Sequence, residues 1–237
     1  MKHFGSISMS PGKNGAFYYS KFFQRYNLKA VYHPYQANNI QEVRKVLSEN
    51  KFEGFNVSMP FKKEIIQLLN VSSADVESYN SCNTVKITDE KLSGYNTDIN
   101  GVTKITSKIL SNEKVLILGN GAMGKTFVKI FKQKNINYRI VSRSLGNWDE
   151  RHQNCDVLIN CTSLGTSLNS SPIDSLSVSR AVFDLAINGN KLRNLCSSIT
   201  YFSGLLFYKE VFLEQFFLHT GIFPDPNYFD YLTTSRR

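Results

Sequence analysis

Apolar residues are grouped along this chain in two different rhythms. In the second half, Val115-Leu116-Ile117-Leu118 and Val157-Leu158-Ile159 carry no polar alternation, the pattern of strands covered on both faces. Runs of the same kind occupy residues 138–141, 156–160 and 181–184, and a helical spacing over 122–134 follows the first run. Strand, helix and strand in this order predict a doubly wound parallel sheet of the Rossmann kind. The first hundred residues alternate differently. Strands are predicted over 3–7, 30–35, 54–58, 83–88 and, weakly, 92–95, with helices over 15–26, 40–50 and 61–69. That pattern is a separate small α/β domain.

A helix over 98–110 joins the two halves, and helices over 205–219 and 227–233 end the chain. The expected organisation is therefore a small α/β substrate-binding catalytic domain over 1–100 and a dinucleotide domain over 101–204. The closing helices, 205–237, would return toward the N-terminal domain. No internal repeat is evident, and residues 167–179 are a polar, serine-rich loop.

The step from the first buried strand into its helix carries Gly119-Asn120-Gly121-Ala122-Met123-Gly124-Lys125-Thr126. Two patterns fit it: G-x-G-x-x-G, a dinucleotide turn, and G-x-x-x-x-G-K-T, an NTPase phosphate loop. Both set a phosphate against backbone N–H groups at a helix N-terminus. The first leads to hydride transfer and the second to phosphoryl transfer, for which Asp184 at a strand end would hold magnesium.

Composition narrows the field. With 41% apolar and 20% charged residues in 237, the chain has the balance of an ordinary globular protein. Its opening residues lack an apolar leader and no run is long enough to span a membrane, so a cytoplasmic protein is expected. The formal charge of +9 is spread out: 12 basic against 9 acidic residues up to residue 100, then 16 against 10. Nucleic acid binding concentrates its charge, so no nucleic acid partner is expected; anionic small molecules are. Cys82, Cys155, Cys161 and Cys196 show no C-x-x-C spacing, and His3, His33, His152 and His219 form no ligand pattern. Structural thiols and no metal are the expectation.

Candidate chemistry lies in the first half. In Asn56-Val57-Ser58-Met59-Pro60-Phe61-Lys62 a strand ends and Pro60 is expected to open a helix. Lys62 would then stand in the first helical turn, where a cation opposes the dipole. Either it is a tolerated surface lysine or it is held for proton transfer. Asp98, in Asn96-Thr97-Asp98, could be a plain N-cap or that lysine's partner. Asn83-Thr84 and Ser8-Met9-Ser10-Pro11 could be turn residues or substrate hydrogen-bonders.

In this order, and ahead of a G-x-G-x-x-G half, these segments resemble the shikimate dehydrogenase family over nearly the whole chain. Ser8-Met9-Ser10-Pro11 is similar to its S-x-S-P segment, residues 56–62 to N-V-T-x-P-x-K with Ser58 in place of threonine, Cys82-Asn83-Thr84 to A-x-N-T, and residues 96–98 to N-T-D. The resemblance implies that Lys62 and Asp98 are catalytic. It implies that Ser8 and Ser10 hold the substrate carboxylate, and that Ser58, Asn83 and Asp98 hydrogen-bond ring hydroxyls. Gly119, Asn120, Gly121, Ala122, Met123 and Gly124 would take the cofactor pyrophosphate. Ser142-Arg143-Ser144 resembles N-R-T/S; an arginine where an NAD enzyme has an acid suits the 2′-phosphate of NADP. Asn160-Cys161-Thr162-Ser163-Leu164-Gly165 resembles N-A-T-S-x-G, so that Thr162, with Leu185 and Gly204, would face the cofactor. The implied activity is NADP-dependent interconversion of 3-dehydroshikimate and shikimate, by a monomer or homodimer.

The chain departs from the family pattern. The histidine before S-x-S-P is missing, Ile187 stands where a substrate-site tyrosine is usual, and Lys209 replaces a glutamine that binds substrate. A second register puts Val211 at that place. Lys209 could instead pair with a carboxylate or a cofactor phosphate. These changes leave open quinate or a related hydroxy acid, and a paralogue that binds NADP or a metabolite without turnover.

Overall fold

The computed structural model describes residues 1–165, 170–187 and 191–236. Residues 166–169, within or beside the expected serine-rich loop, lie outside this set. The chain divides into two compact units, Met1–Thr97 with Phe212–Arg237, and Asp98–Val211.

In the first unit the elements run β1 (Lys2–Ser8), α1 (Asn14–Arg25), β2 (Ala30–Gln36), α2 (Ile40–Glu49), β3 (Gly54–Val57), a 3-10 helix (Glu64–Leu68), β4 (Val71–Ser72), α3 (Ala74–Tyr79), β5 (Thr84–Thr88) and β6 (Lys91–Tyr95). The sheet order is β2-β1-β3-β5-β6-β4. β1 pairs parallel with β2 and β3, while β5 pairs antiparallel with β3 and β6. Alternation along the strands serves two cores. Ile7, Phe55 and Val57 pack with Val43 of α2, Ile65 and Val76. Phe4 faces Phe23 and His219 instead. Asn39 starts α2 by accepting from Glu42 N at 2.9 Å, with Glu42 reaching back to Asn38 N at 2.8 Å, a reciprocal cap.

The helix expected over 61–69 is a correction. Residues 59–63 are turns, Met59–Pro60 is a cis bond, and only Glu64–Leu68 winds into a 3-10 helix. The cause is visible in the backbone: the Lys62 carbonyl accepts from Cys82 N at 2.7 Å. β4, α3 and, in the second unit, four further short elements had no sequence signal, being too short to show a period.

The second unit comprises α4 (Asp98–Thr106), β7 (Val115–Leu118), α5 (Ala122–Gln133), β8 (Tyr138–Val141), β9 (Cys155–Asn160), β10 (Val178–Asp184), α6 (Lys191–Leu195) and β11 (Thr200–Phe202). All pairings are parallel, in the order β11-β10-β9-β7-β8. The doubly wound sheet expected from the uninterrupted apolar runs is present. Leu116, Leu118, Leu158 and Val182 pack with Leu192 and Cys196 on one face. Val115, Ile117, Val157 and Ile159, pointing the other way, are buried too. α7 (Leu205–Thr220) starts in this unit and ends in the first, where α8 (Pro226–Ser235) follows.

Candidate active site

Strand ends bring several of the expected residues together in the first unit. Ser58 N donates to Ile7 O at 3.0 Å, Met9 N to Met59 O at 3.2 Å, and Val57 N to Asn83 O at 2.8 Å. With the Lys62–Cys82 bond already described, these ties set Ser8, Ser58, Lys62 and Asn83 side by side at the carboxyl ends of β1 and β3. Ser8 is buried and Lys62 half-buried, whereas Ser58 and Ser10 are exposed, Ser10 in the bend after β1. Lys62 precedes the 3-10 helix and its N-cap Lys63, so the expectation that it opposes a helix dipole falls away. Asn83 stands just ahead of β5 rather than inside a strand.

Asn83 is 2% exposed. Its side-chain oxygen accepts from Thr97 N at 2.9 Å, Thr97 Oγ1 at 3.1 Å and Thr84 Oγ1 at 2.8 Å. Thr97 is therefore bonded to Asn83, its hydroxyl included, and its neighbour in the chain is Asp98, the buried first residue of α4. Asp98 and Lys209, half-buried on α7, belong to the second unit.

In the second unit the strand order reverses at β7, whose neighbours β8 and β9 follow it in sequence. Ligands of open α/β sheets bind beyond the carboxyl ends of the strands at such a switch point. Two loops flank it here, after β7 and after β9, tied by Cys161 N donating to Leu118 O at 2.8 Å. Gly119 has φ +102°, and a Cβ there would press on Thr162 Cγ2 at 3.1 Å. A Cβ on Gly124 would collide with the Gly119 carbonyl. Gly121 differs from both. Its φ is −75°, and a Cβ there meets nothing within 4 Å. Neither backbone nor packing demands a glycine at 121. Asn120 and Met123 are half-exposed and Ala122 exposed around it.

The phosphate-loop alternative suits this geometry poorly. α5 begins at Ala122, so residues 122–126 are already helix instead of a loop wrapped on phosphates. Thr126 donates its hydroxyl to Ala122 O at 3.0 Å. Asp184, the magnesium candidate, accepts from Asn160 Nδ2 at 2.9 Å, Ala186 N at 3.1 Å and Tyr201 OH at 3.0 Å. Burial raises its carboxyl from the ordinary value, against the pull of those bonds. Asp184 and Asn160 instead brace the loops that carry Thr162 and Leu185: Asn160 Oδ1 accepts from Thr162 N at 3.0 Å and Oγ1 at 2.7 Å. Gly204 lies against Leu185, its N donating to Ala186 O at 3.3 Å, and a Cβ there would strike the Leu185 carbonyl. Asn160, Asp184 and Tyr201 were not legible as a bracing set; only the hydrogen bonds that join them reveal it.

Beyond β8, Ser142 is buried and caps a short 3-10 turn, Arg143–Leu145, by accepting from Leu145 N at 3.2 Å; its Oγ lies 3.0 Å from Ser144 Oγ. Arg143 is exposed, 5.6 Å from the Trp148 ring centroid, and Arg151 lies 5.3 Å from the same ring. Sequence spacing suggested no second basic residue near Arg143; the 3-10 helix Trp148–His152 supplies one. Among the described residues, no cluster of histidine, cysteine or carboxylate side chains fits a metal ion, and no helix is long and apolar enough to cross a membrane. All four cysteines are free thiols.

Several known proteins similar to this chain share one description. The family profile described as shikimate dehydrogenase substrate binding domain matches residues 6–85. The Staphylococcus epidermidis protein named shikimate dehydrogenase (NADP(+)) is 31% identical over 176 residues, 65% of this chain, and the chain spans 65% of that relative's length. The protein of that name from Pyrococcus abyssi is 28% identical over 243 residues, covering 93% of this chain and 90% of its own. Among solved structures, the Thermus thermophilus shikimate 5-dehydrogenase in complex with NADP(H) and shikimate superposes with a TM-score of 0.84. It is 20% identical and covers 98% of each chain, which makes the fold common to both.

Proposed function

We propose that this chain is an NADP-dependent oxidoreductase of the shikimate dehydrogenase type, interconverting 3-dehydroshikimate and shikimate, a reading supported by the profile match over residues 6–85 and by relatives 28–31% identical. The observation that carries the reading is the convergence of Ser8, Ser58, Lys62 and Asn83 through backbone hydrogen bonds at the ends of β1 and β3. Three segments far apart in sequence, residues 7–9, 57–62 and 82–83, are joined there.

In the reductive direction Lys62 gives a proton to the substrate oxygen at C3 while that carbon receives a hydride; in the oxidative direction it takes the proton back. Bound NADPH supplies the hydride and NADP+ accepts it. Ser8 and Ser10 take the carboxylate, and Ser58, Asn83 and Asp98 take ring hydroxyls, with Asp98 the companion acid of Lys62. The donor set fits a dinucleotide phosphate. Gly121 leaves room for a pyrophosphate at the N-terminus of α5. Arg143 is the residue for the 2′-phosphate, with Ser142 and Ser144 beside it, and Thr162, Leu185 and Gly204 line the cofactor side of the loops.

Lys209 and Ile187 stand where the family pattern has an amide and a phenol. These two departures bear on which hydroxy acid is preferred. One preparation assayed with shikimate and quinate, and with NADP+ and NAD+, tests it. Shikimate with NADP+ is expected to give the highest kcat/KM. Lys62→Ala is expected to lower kcat by about two to four orders of magnitude, the span of general acid–base catalysis, while NADP+ still binds. Undiminished turnover in that variant removes Lys62 from the chemistry, and binding of NADP+ without turnover of either acid favours a metabolite-binding paralogue.

A further inference from the structure

α7 carries a polar side chain that the proposed chemistry leaves without a task. Gln215 is 7% exposed, and its Nε2 donates to Thr84 Oγ1 at 3.2 Å. Thr84 is fully buried, and its hydroxyl proton goes to Asn83 Oδ1 at 2.8 Å. A hydroxyl has a single proton to give. An N–H donor arriving on Thr84 from Gln215 favours sending that proton to Asn83. The competing direction is open, because Thr97 Oγ1 lies 3.3 Å from Thr84 Oγ1.

The consequence falls on Asn83. Three donors meet its side-chain oxygen, two from Thr97 and one from Thr84. Turning the amide over would set its NH2 against the Thr97 N–H, which cannot accept, and would oblige both hydroxyls to turn their protons elsewhere. The chain Gln215–Thr84–Asn83 therefore has a direction, and it turns the NH2 end of Asn83 away from Thr84 Oγ1 and Thr97 N. The same oxygen holds Thr97 N, and so the peptide leading into Asp98. Gln215 lies four residues beyond Val211, on the same face of α7. An amide absent at 209 and 211 thus returns one turn later, acting through Thr84.

We propose that Gln215 is a positioning residue for substrate recognition, holding Thr84 as a donor to Asn83 so that the Asn83 NH2 is aimed at a ring hydroxyl. This rests on the shikimate dehydrogenase reading above. The test is steady-state kinetics of the full chain with shikimate and NADP+, on Gln215→Leu, Asn83→Ala and the double variant, with a urea midpoint for each. Gln215→Leu is expected to raise the KM for shikimate about tenfold, as loss of one buried hydrogen bond implies. kcat and the KM for NADP+ should stay within about twofold. On the Asn83→Ala background the same change should add nothing. If Asn83→Ala does not fold, Thr84→Val takes its place in the cycle, with the same expectation.

An unaltered KM with a lowered urea midpoint would mean that Gln215 merely fastens α7 to the sheet, and overturns the proposal. An equal KM penalty with and without Asn83 overturns it as well. Absence of shikimate turnover by the unaltered chain overturns the activity reading, and the positioning role with it.

Discussion

Three glycines share one turn, and each is there for a different reason. Gly124 is required by packing, since any side chain would meet the Gly119 carbonyl, and Gly119 by its φ of +102°. Gly121 is required by neither. Gly121→Val should therefore fold with a urea midpoint close to that of the parent, yet bind NADP+ at least about tenfold more weakly by calorimetry. A variant that binds normally would detach Gly121 from the cofactor. Gly124→Ala should show the reverse order of effects, losing stability first. His219 carries a second prediction of this scale. Its Nε2 lies 2.8 Å from Asn56 Oδ1, an acceptor, so that nitrogen carries the proton and Nδ1 is a bare, buried atom with no partner. Protonation would put charge there, and burial, with Lys86 adding a smaller push, lowers the pKa from 6.5 to about 3. The unfolded chain binds this proton below pH 6.5 and the folded one does not. Stability is therefore full above that pH and falls as pH drops toward 3, by a few kcal/mol in all. Urea midpoints between about pH 7 and 4 should decline, and His219→Gln should decline less steeply.

Among the elements, the connection from β8 to β9 does more than link strands. β8 is the last strand of its sheet, and an open strand edge invites pairing with another chain. Asn147 occupies that edge: its Nδ2 donates to Ile140 O at 3.0 Å, and its Oδ1 accepts from Ser142 N at 3.0 Å. An amide side chain thus completes the ladder. Arg139 pairs with Glu150 and Arg151 with Asp149 at 3.7 Å, and both Arg151 and Arg143 lie over the Trp148 ring. Arg151→Ala, like Arg143→Ala, is expected to weaken NADP+ binding about tenfold and NAD+ binding little, since charged hydrogen bonds contribute roughly 1.5–3 kcal/mol. The chain has one tryptophan, so quenching of Trp148 emission follows both ligands directly. Equal losses for NADP+ and NAD+ would leave Arg151 without a 2′-phosphate role.

At the scale of the molecule, the chain's last segment completes its first unit. Tyr18 stacks on Phe229 at 4.3 Å and hydrogen-bonds Thr233 at 2.8 Å; Arg25 pairs with Asp225 at 3.0 Å. Phe212 and Phe216 of α7 fill the space against Tyr19 and Phe22. Phe229, 1% exposed, should cost about 3–5 kcal/mol on truncation to alanine. The loss should fall unevenly: hydrogen exchange in Phe229→Ala is expected to quicken across residues 1–97 and 212–237 before β7, β9 and β10 respond. Uniform acceleration would mean that the two units unfold as one.

The division of labour between sequence and tertiary structure follows from the range of the forces. Uninterrupted apolar runs and the glycine turn determined the parallel, doubly wound second half, because strand burial and helix initiation are written in neighbouring residues. Motif order likewise identified Ser8, Ser58, Lys62, Asn83 and Asp98 as candidates. Local signals failed where a distant partner decides. The backbone at Lys62 leaves the helix because Cys82 claims its carbonyl, and Asn83 can be buried because Thr97 and Thr84 bond its side-chain oxygen. Arg151 reaches the ring that Arg143 touches only because the connection folds back along β8. Gln215 reads as one more polar residue on α7 until the sheet brings Thr84 to it. Hydrogen bonds between residues 131 apart leave no period in a sequence, and only a packed core, which leaves buried polar groups no water to turn to, makes them compulsory.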